Sequence, residues 1–170
     1  TSNSVSGRSF ITATGGNCVA TVGNCKIHTF TGPGTFCVSA ISSEAPENVV
    51  SYLVIAGGGS ASCGGRGGGG GAGGYREVKN PLTPYTASPL DGYPTSPNRV
   101  TITATGFPIT VGAGGNSTVG GNSIFSTITS AGGGGGGRGT AGSPGSGLNG
   151  GSGGGGHGES KPGGGPPGSG

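Results

Sequence analysis

Residues able to do acid–base or nucleophilic chemistry are few in this chain and lie far apart. His28 and His157 are the only histidines, and the carboxylates are Glu44, Glu47, Glu77, Asp91 and Glu159. His28 sits in a strand-like run and reads as a structural residue. His157 sits in a glycine tail that cannot hold a catalytic geometry unaided. The carboxylates fall mostly in loop-like sequence, with no paired-acid or triad spacing. Matches to G-x-G-x-x-G arise trivially in polyglycine, and no Walker lysine follows any of them. The expectation is a protein that is not an enzyme and takes no cofactor or metal.

The cysteines Cys18, Cys25, Cys37 and Cys63 all fall in the first part of the chain, and none forms a C-x-x-C pair. The segment from Cys18 to Cys25 reads as a strand and a Gly-Asn turn, so a local Cys18–Cys25 bridge is expected, leaving Cys37 with Cys63. Buried free thiols and a metal site are the alternatives, with Cys25 and His28 as a first ligand pair that lacks a convincing second. A bridge closing a 15-residue loop contributes roughly 3 kcal/mol in the chain-entropy view.

Composition narrows the class further. Glycine accounts for 47 of 170 residues, hydrophobic residues for 28% and charged residues for 8%. So little apolar material points toward disorder, but so little charge does not fit a self-repelling disordered chain. Twelve prolines and only local glycine periodicity do not fit collagen. The net charge of +3 is spread thinly, which argues against nucleic acid as a partner, and no apolar run is long enough for membrane insertion. Arg66 and Arg138 each stand between glycines, but isolated Gly-Arg-Gly elements give little phosphate attraction. Asn116-Ser117-Thr118 matches a glycosylation acceptor and reads as incidental. A chain without methionine is expected to be a processed mature protein or a segment of a longer one.

The glycines themselves carry a pattern. From Gly64 to Tyr75 the sequence reads Gly-Gly-Arg, Gly-Gly-Gly, Gly-Gly-Ala, Gly-Gly-Tyr. In a helix of three residues per turn this leaves two bare rows, formed by Gly64, Gly65, Gly67, Gly68, Gly70, Gly71, Gly73 and Gly74. The third row carries Arg66, Ala72 and Tyr75. Bare rows allow backbones to approach closely. Glycine also recurs every third residue at 133, 136, 139, 142 and 145, then at 147, 150, 153 and 156. Ordering such a tail costs on the order of 1–2 kcal/mol per residue and more for glycine, so only dense backbone pairing or assembly can hold it.

The elements that must position these groups read as short strands. Ser9–Ala13, Cys18–Val22, Lys26–Thr31 and Thr35–Ile41 combine β-branched and aromatic residues between turn signals, the last two forming an expected hairpin across Gly32-Pro33-Gly34. VVSYLVIA at 49–56 has the pattern of a central strand covered on both faces. Further strands are expected at 75–79, 99–105, 107–111 and 122–131. The prolines of 80–98 forbid a regular helix or interior strand there, and a loop of this length is commonly functional. Tyr85, Asp91 and Tyr93 are its candidate recognition residues.

Several of these runs, in their order and spacing, form a recognisable set. They are Ile27-His28-Thr29-Phe30-Thr31-Gly32-Pro33-Gly34-Thr35-Phe36, Tyr52-Leu53-Val54-Ile55-Ala56-Gly57-Gly58-Gly59, Gly71-Ala72-Gly73-Gly74-Tyr75-Arg76, Ile109-Thr110-Val111-Gly112-Ala113-Gly114-Gly115 and Asn122-Ser123-Ile124-Phe125 before Ala131 and polyglycine. Together they resemble the glycine-rich domain of phage tail fibres, fibre adhesins and related surface proteins. The resemblance implies a β scaffold from which polyglycine helices project and pack side by side. The expected fold is all-β: a short-stranded β-sandwich-like domain with polyglycine II-like excursions and a Gly/Pro-rich tail. The expected division is a cysteine-bearing β segment (1–25), a glycine-rich β domain (26–131, with the polyglycine segment at 64–74 and the Pro-rich loop at 80–98) and the tail (132–170). Two functions follow, a self-assembling subunit of an extracellular or virion fibre and a receptor-binding adhesin module. The partner is another copy in the first case and a cell-surface receptor or glycan in the second.

Overall fold

A computed structural model of the chain describes residues 7–63, 66–139, 145–158 and 164–170. The protein is all-β: among the described residues its regular structure is strands in sheets, with helix confined to short 3-10 turns at Ala45–Asn48 and Ser96–Asn98. The strands are β1 (Thr12–Thr14), β2 (Cys18–Val22), β3 (Cys25–Thr29), β4 (Gly34–Ala40), β5 (Tyr52–Ile55), β6 (Tyr75–Val78), β7 (Gly106–Thr110), β8 (Ser123–Phe125) and β9 (Ile128–Ser130). The chain divides into two compact units, one of Thr1–Tyr52 with Glu77–Pro108 and one of Leu53–Arg76 with Ile109–Gly170. These bounds differ from a 1–25, 26–131, 132–170 division, because each unit is assembled from segments distant in sequence.

In the first unit β2 and β3 form an antiparallel hairpin in which Val22 faces Cys25 and Cys18 faces Thr29. Gly23 has φ 58 at the first central position of its turn, the conformation a type II′ hairpin turn requires. This corrects the expected pairing of β3 with β4. The tight Gly23-Asn24 turn lets β3 fold back on β2, and Asn17 fixes the far end by donating its N–H to the Thr29 carbonyl (2.7 Å) and accepting from Thr31 N–H (2.8 Å). The Gly32-Pro33-Gly34 link then delivers β4 to β1, where Ala13 faces Val38 and Thr14 faces Cys37. The neighbour of β4 on its other side is β7. Ala13, Val38, Val78, Val100 and Ile102 supply this unit's core. The 99–105 run is not a strand: among the described residues it bridges at Thr101 alone, to Val49, while Val100 and Ile102 plug inward and the chain is tied by Ile102 N–H to the Asn48 carbonyl (2.8 Å).

The second expectation corrected is the doubly covered central strand. Among the described residues β5 pairs with β6 alone, and its burial alternates: Val54 (8% exposed) and Ala56 (7%) point inward while Leu53 and Ile55 are each 56% exposed. The 122–131 run is also not one strand. It turns at Ser126, whose φ of 54 is left-handed, so β8 and β9 form a hairpin in which Phe125 faces Ile128. β8 also pairs with the end of β7, Ile109 facing Phe125. Phe125 and Ile128 join Val54 and Ala56 as the second unit's buried apolar residues.

Candidate functional site

Beyond its strands the second unit is built from extended glycine segments that are neither helix nor ladder strand, yet are hydrogen-bonded to one another through the main chain in steps of three. Ala56, Gly59 and Ser62 donate their N–H groups to the carbonyls of Gly74, Gly71 and Gly68, at 2.8–3.0 Å. Gly68, Gly71 and Gly74 donate in turn to Gly137, Gly134 and Ala131. Gly133 and Gly136 donate to Gly57 and Ser60, which themselves donate to Gly121 and Thr118. The C-terminal segments follow the same rule. Ser152, Gly155 and Gly158 donate to Ala72, Gly69 and Arg66, and Leu148 and Gly151 donate to Gly135 and Gly132. Gly165 and Gly168 donate to His157 and Gly154.

Segment 131–138 lies at the centre of this network, with Gly132, Gly133, Gly134, Gly135 and Gly137 buried. Such spacing leaves no room for side chains. A Cβ on Gly134 would collide with the Leu148 carbonyl and lie 2.7 Å from the Gly154 nitrogen; one on Gly59 would collide with the Gly134 carbonyl. A net hydrogen bond contributes only about 0.5–1.5 kcal/mol, comparable to the cost of ordering one glycine, so the network holds only if it is dense.

The candidate packing glycines fall in this network. Gly67, Gly68, Gly70, Gly71 and Gly73 would each drive a Cβ into the backbone or Cβ of a neighbouring segment, and a Cβ on Gly74 would stand 2.9 Å from the Ala131 carbonyl. Gly64 and Gly65 lie outside the described residues. Gly69, which shares the row of Arg66, Ala72 and Tyr75, has nothing within 4 Å of its Cβ direction.

The proline-rich loop, in the first unit, is fastened by buried and half-buried polar groups, of which the sequence singles out only Asp91. Asn80, 4% exposed, donates through its amide to the carbonyls of Pro46 (2.9 Å) and Val49 (2.6 Å) and accepts from Leu82 N–H (2.9 Å). Glu77, 8% exposed, accepts from Ser88 N–H and hydroxyl. Asp91 Oδ1 accepts from the N–H groups of Lys79 and Tyr93, both at 3.0 Å, which makes it an organiser of the loop rather than a group held out to a partner. The Tyr93 ring carries the Arg99 guanidinium 4.6 Å from its centroid, and Arg99 also donates to the Tyr93 carbonyl (2.8 Å). The outward groups are Leu82, Tyr85 and Leu90, at 61%, 42% and 70% exposure. Leu82 also borders a shallow cleft of about 260 Å³ with Arg8, Glu44, Pro46 and Glu47. The Ser42 hydroxyl beside Glu47 holds its carboxyl below the usual glutamate range, with Arg8 adding to that and desolvation opposing it.

All of the cysteines are free thiols. The hairpin register excludes the local bridge: Cys18 and Cys25 stand four rungs apart, about 13 Å along the strands, where a disulfide needs Cα atoms within about 7 Å. Cys37 is on β4 and exposed, and Cys63 Sγ lies 3.8 Å from the Ser117 hydroxyl. His28 is structural in its contacts, with Nδ1 donating to the Gly15 carbonyl at 2.7 Å and its ring set edge-on to Phe36 at 5.1 Å. Among the described residues no cluster of His, Cys, Asp and Glu is arranged to hold a metal ion, and no helix is long and apolar enough to cross a membrane. Comparison with known protein families, curated proteins and solved structures finds no match to this chain.

Proposed function

We propose that the chain is a non-catalytic structural protein, a self-assembling subunit of an extracellular or virion fibre, whose glycine segments form a polyglycine II-like bundle on a β scaffold. The observation that carries this reading is the three-residue phase of the main-chain bonds. It is the repeat of a three-residue helix, and it uses glycine as a packing residue where a linker would use it for freedom. Such a bundle is stiff for its mass and needs almost no apolar core, which suits a fibre element more than a catalyst. Assembly is supported by the open margins of the β elements. Among the described residues, β2 and β3 pair only with each other, and Val19, Val22 and Ile27 on them are 49%, 61% and 48% exposed. An exposed two-stranded ribbon of this kind is a template for strand addition between copies. Electron microscopy of the purified chain tests the reading: filaments are expected, and discrete particles under all conditions would overturn it.

The adhesin reading has its own support in the proline-rich loop. Leu82, Tyr85 and Leu90 stand exposed on a loop that Asn80, Glu77 and Asp91 hold in one conformation, an arrangement suited to contacting a receptor or glycan at low ordering cost. Replacing Leu82, Tyr85 and Leu90 by alanine is expected to abolish adsorption to cells with the fold intact; unchanged adsorption would remove the loop from consideration.

A further inference from the structure

Arg66, Arg138 and His157 are far apart in sequence, but the glycine network gathers them. Segments 66–74, 131–138 and 152–158 are mutually hydrogen-bonded: Gly68 N–H to Gly137 (3.1 Å), Gly155 N–H to Gly69 (2.8 Å) and Gly137 N–H to Gly155 (2.8 Å). The register places Arg66, Arg138 and His157 within about one three-residue turn of each other, on three adjacent segments, at the same end of the unit. Gly158 N–H, next to His157, reaches the Arg66 carbonyl itself at 2.8 Å.

What sets this group apart is that the network gathers it: Lys26, Arg76 and Lys79 also lack an ion pair or ring partner among the described residues, but the remaining arginines are engaged. Arg8 is engaged by Glu47 and Phe10, and Arg99 by Tyr93 and main-chain carbonyls. Arg66 and Arg138 are exposed and have no ion pair or ring partner among the described residues. Of the acidic residues, Glu44, Glu47, Glu77 and Asp91 belong to the first unit, and Glu159 lies outside the described residues. His157 Nδ1 is buried and meets no hydrogen-bond partner among the described residues, an orphaned polar atom on a segment bonded to those of Arg66 and Arg138.

We propose that this basic end of the glycine bundle binds an oxyanion-bearing polymer, a phosphate- or carboxylate-substituted glycan of a cell surface. Guanidinium groups pair with both oxyanions through paired N–H donors, and placing two of them on adjacent rigid segments removes most of the ordering cost of a bidentate grip. The inference rests on the surface-protein reading only for the source of the polymer. Filament formation tests that reading, and polymer binding tests this one.

The experiment measures binding of the full chain to poly(glycerol phosphate), to polygalacturonate and to single-stranded DNA, with the arginine variants in parallel. Binding to at least one of the glycan-type polymers is expected, weakening as salt is raised. Which of the two binds identifies phosphate or carboxylate as the source. Arg66→Gln and Arg138→Gln should each weaken it, and the double variant by about tenfold or more. Arg76→Gln makes the same charge change at the other end of segment 66–75, about 30 Å away in a three-residue helix, and should leave binding within about twofold. Absence of binding to both polymers at low salt would overturn the proposal. So would an Arg76→Gln effect equal to that of Arg66→Gln, or DNA binding as tight as the better polymer, since either makes the attraction generic.

Discussion

Replacing Gly134 by alanine separates a packed glycine bundle from a set of flexible linkers, provided that Gly69 is replaced in parallel. A Cβ on Gly134 collides with the Leu148 carbonyl and comes within 2.7 Å of the Gly154 nitrogen, both of them main-chain atoms that can move only with their segments. Parting those segments strains the bonds from Gly134 to Ser152, from Gly154 to Leu148 and from Leu148 to Gly135, each 2.8–2.9 Å. Overpacking costs about 1–3 kcal/mol and each weakened bond about 1 kcal/mol, so a loss of about 3 kcal/mol or more is expected. For a chain of this size that lowers Tm by roughly 6–12 °C. Gly69→Ala meets nothing within 4 Å and sits at an ordinary φ, so it should stabilise by about 0.4–1 kcal/mol through the unfolded chain. Thermal and denaturant unfolding followed by circular dichroism reads both. Equal effects for the two variants, within about 0.5 kcal/mol, would refute the packing argument.

Other parts of the molecule make independent predictions. Ser126 pays the left-handed cost at φ 54 in the β8–β9 turn, so Ser126→Gly should raise stability by about 1 kcal/mol in denaturant unfolding, and a loss would show that its side chain matters more than its backbone. Asp91→Ala leaves the Lys79 and Tyr93 N–H groups without their acceptor and should cost about 1–3 kcal/mol, with faster amide exchange across 79–93; unchanged exchange would mean the loop is held elsewhere. Glu47 has a lowered pKa in the folded chain, so its contribution is present above the ordinary glutamate value and fades as pH falls through the folded one. A stability titration from about pH 6 to pH 2 should therefore lose part of its slope in Glu47→Gln, and an identical slope would contradict the Ser42 and Arg8 contacts.

Strand content was legible wherever β-branched residues lie between glycine punctuation: Cys18–Val22 coincides with β2, and Tyr75–Lys79 and Phe107–Val111 lie within one residue of β6 and β7. Pairing was less legible, because it is decided by partners distant in sequence. Gly32-Pro33-Gly34 has the composition of a hairpin turn, yet β4 finds β1 and β7, and the hairpin forms at Gly23. The apolar run at 49–56 suggested burial on both faces, but apolar composition cannot report that Leu53 and Ile55 face outward beside a single partner strand. The anchors of the proline-rich loop were hidden for a related reason: nothing in the types of Asn80 and Glu77 marks them as buried until the segments they hold are assembled. Arg66, Arg138 and His157 likewise look like isolated residues in a line of text, and only the antiparallel register of Gly68 with Gly137 brings them together.

Residue-resolved amide exchange of the glycine segments tests the account most directly. Slow exchange is predicted at Gly68, Gly71 and Gly74 along 66–74, and at Gly132, Gly133, Gly134, Gly136 and Gly137 along 131–138, whereas Gly69 and Gly70 should exchange fast. Exchange at the rate of an unstructured chain throughout both segments would contradict it.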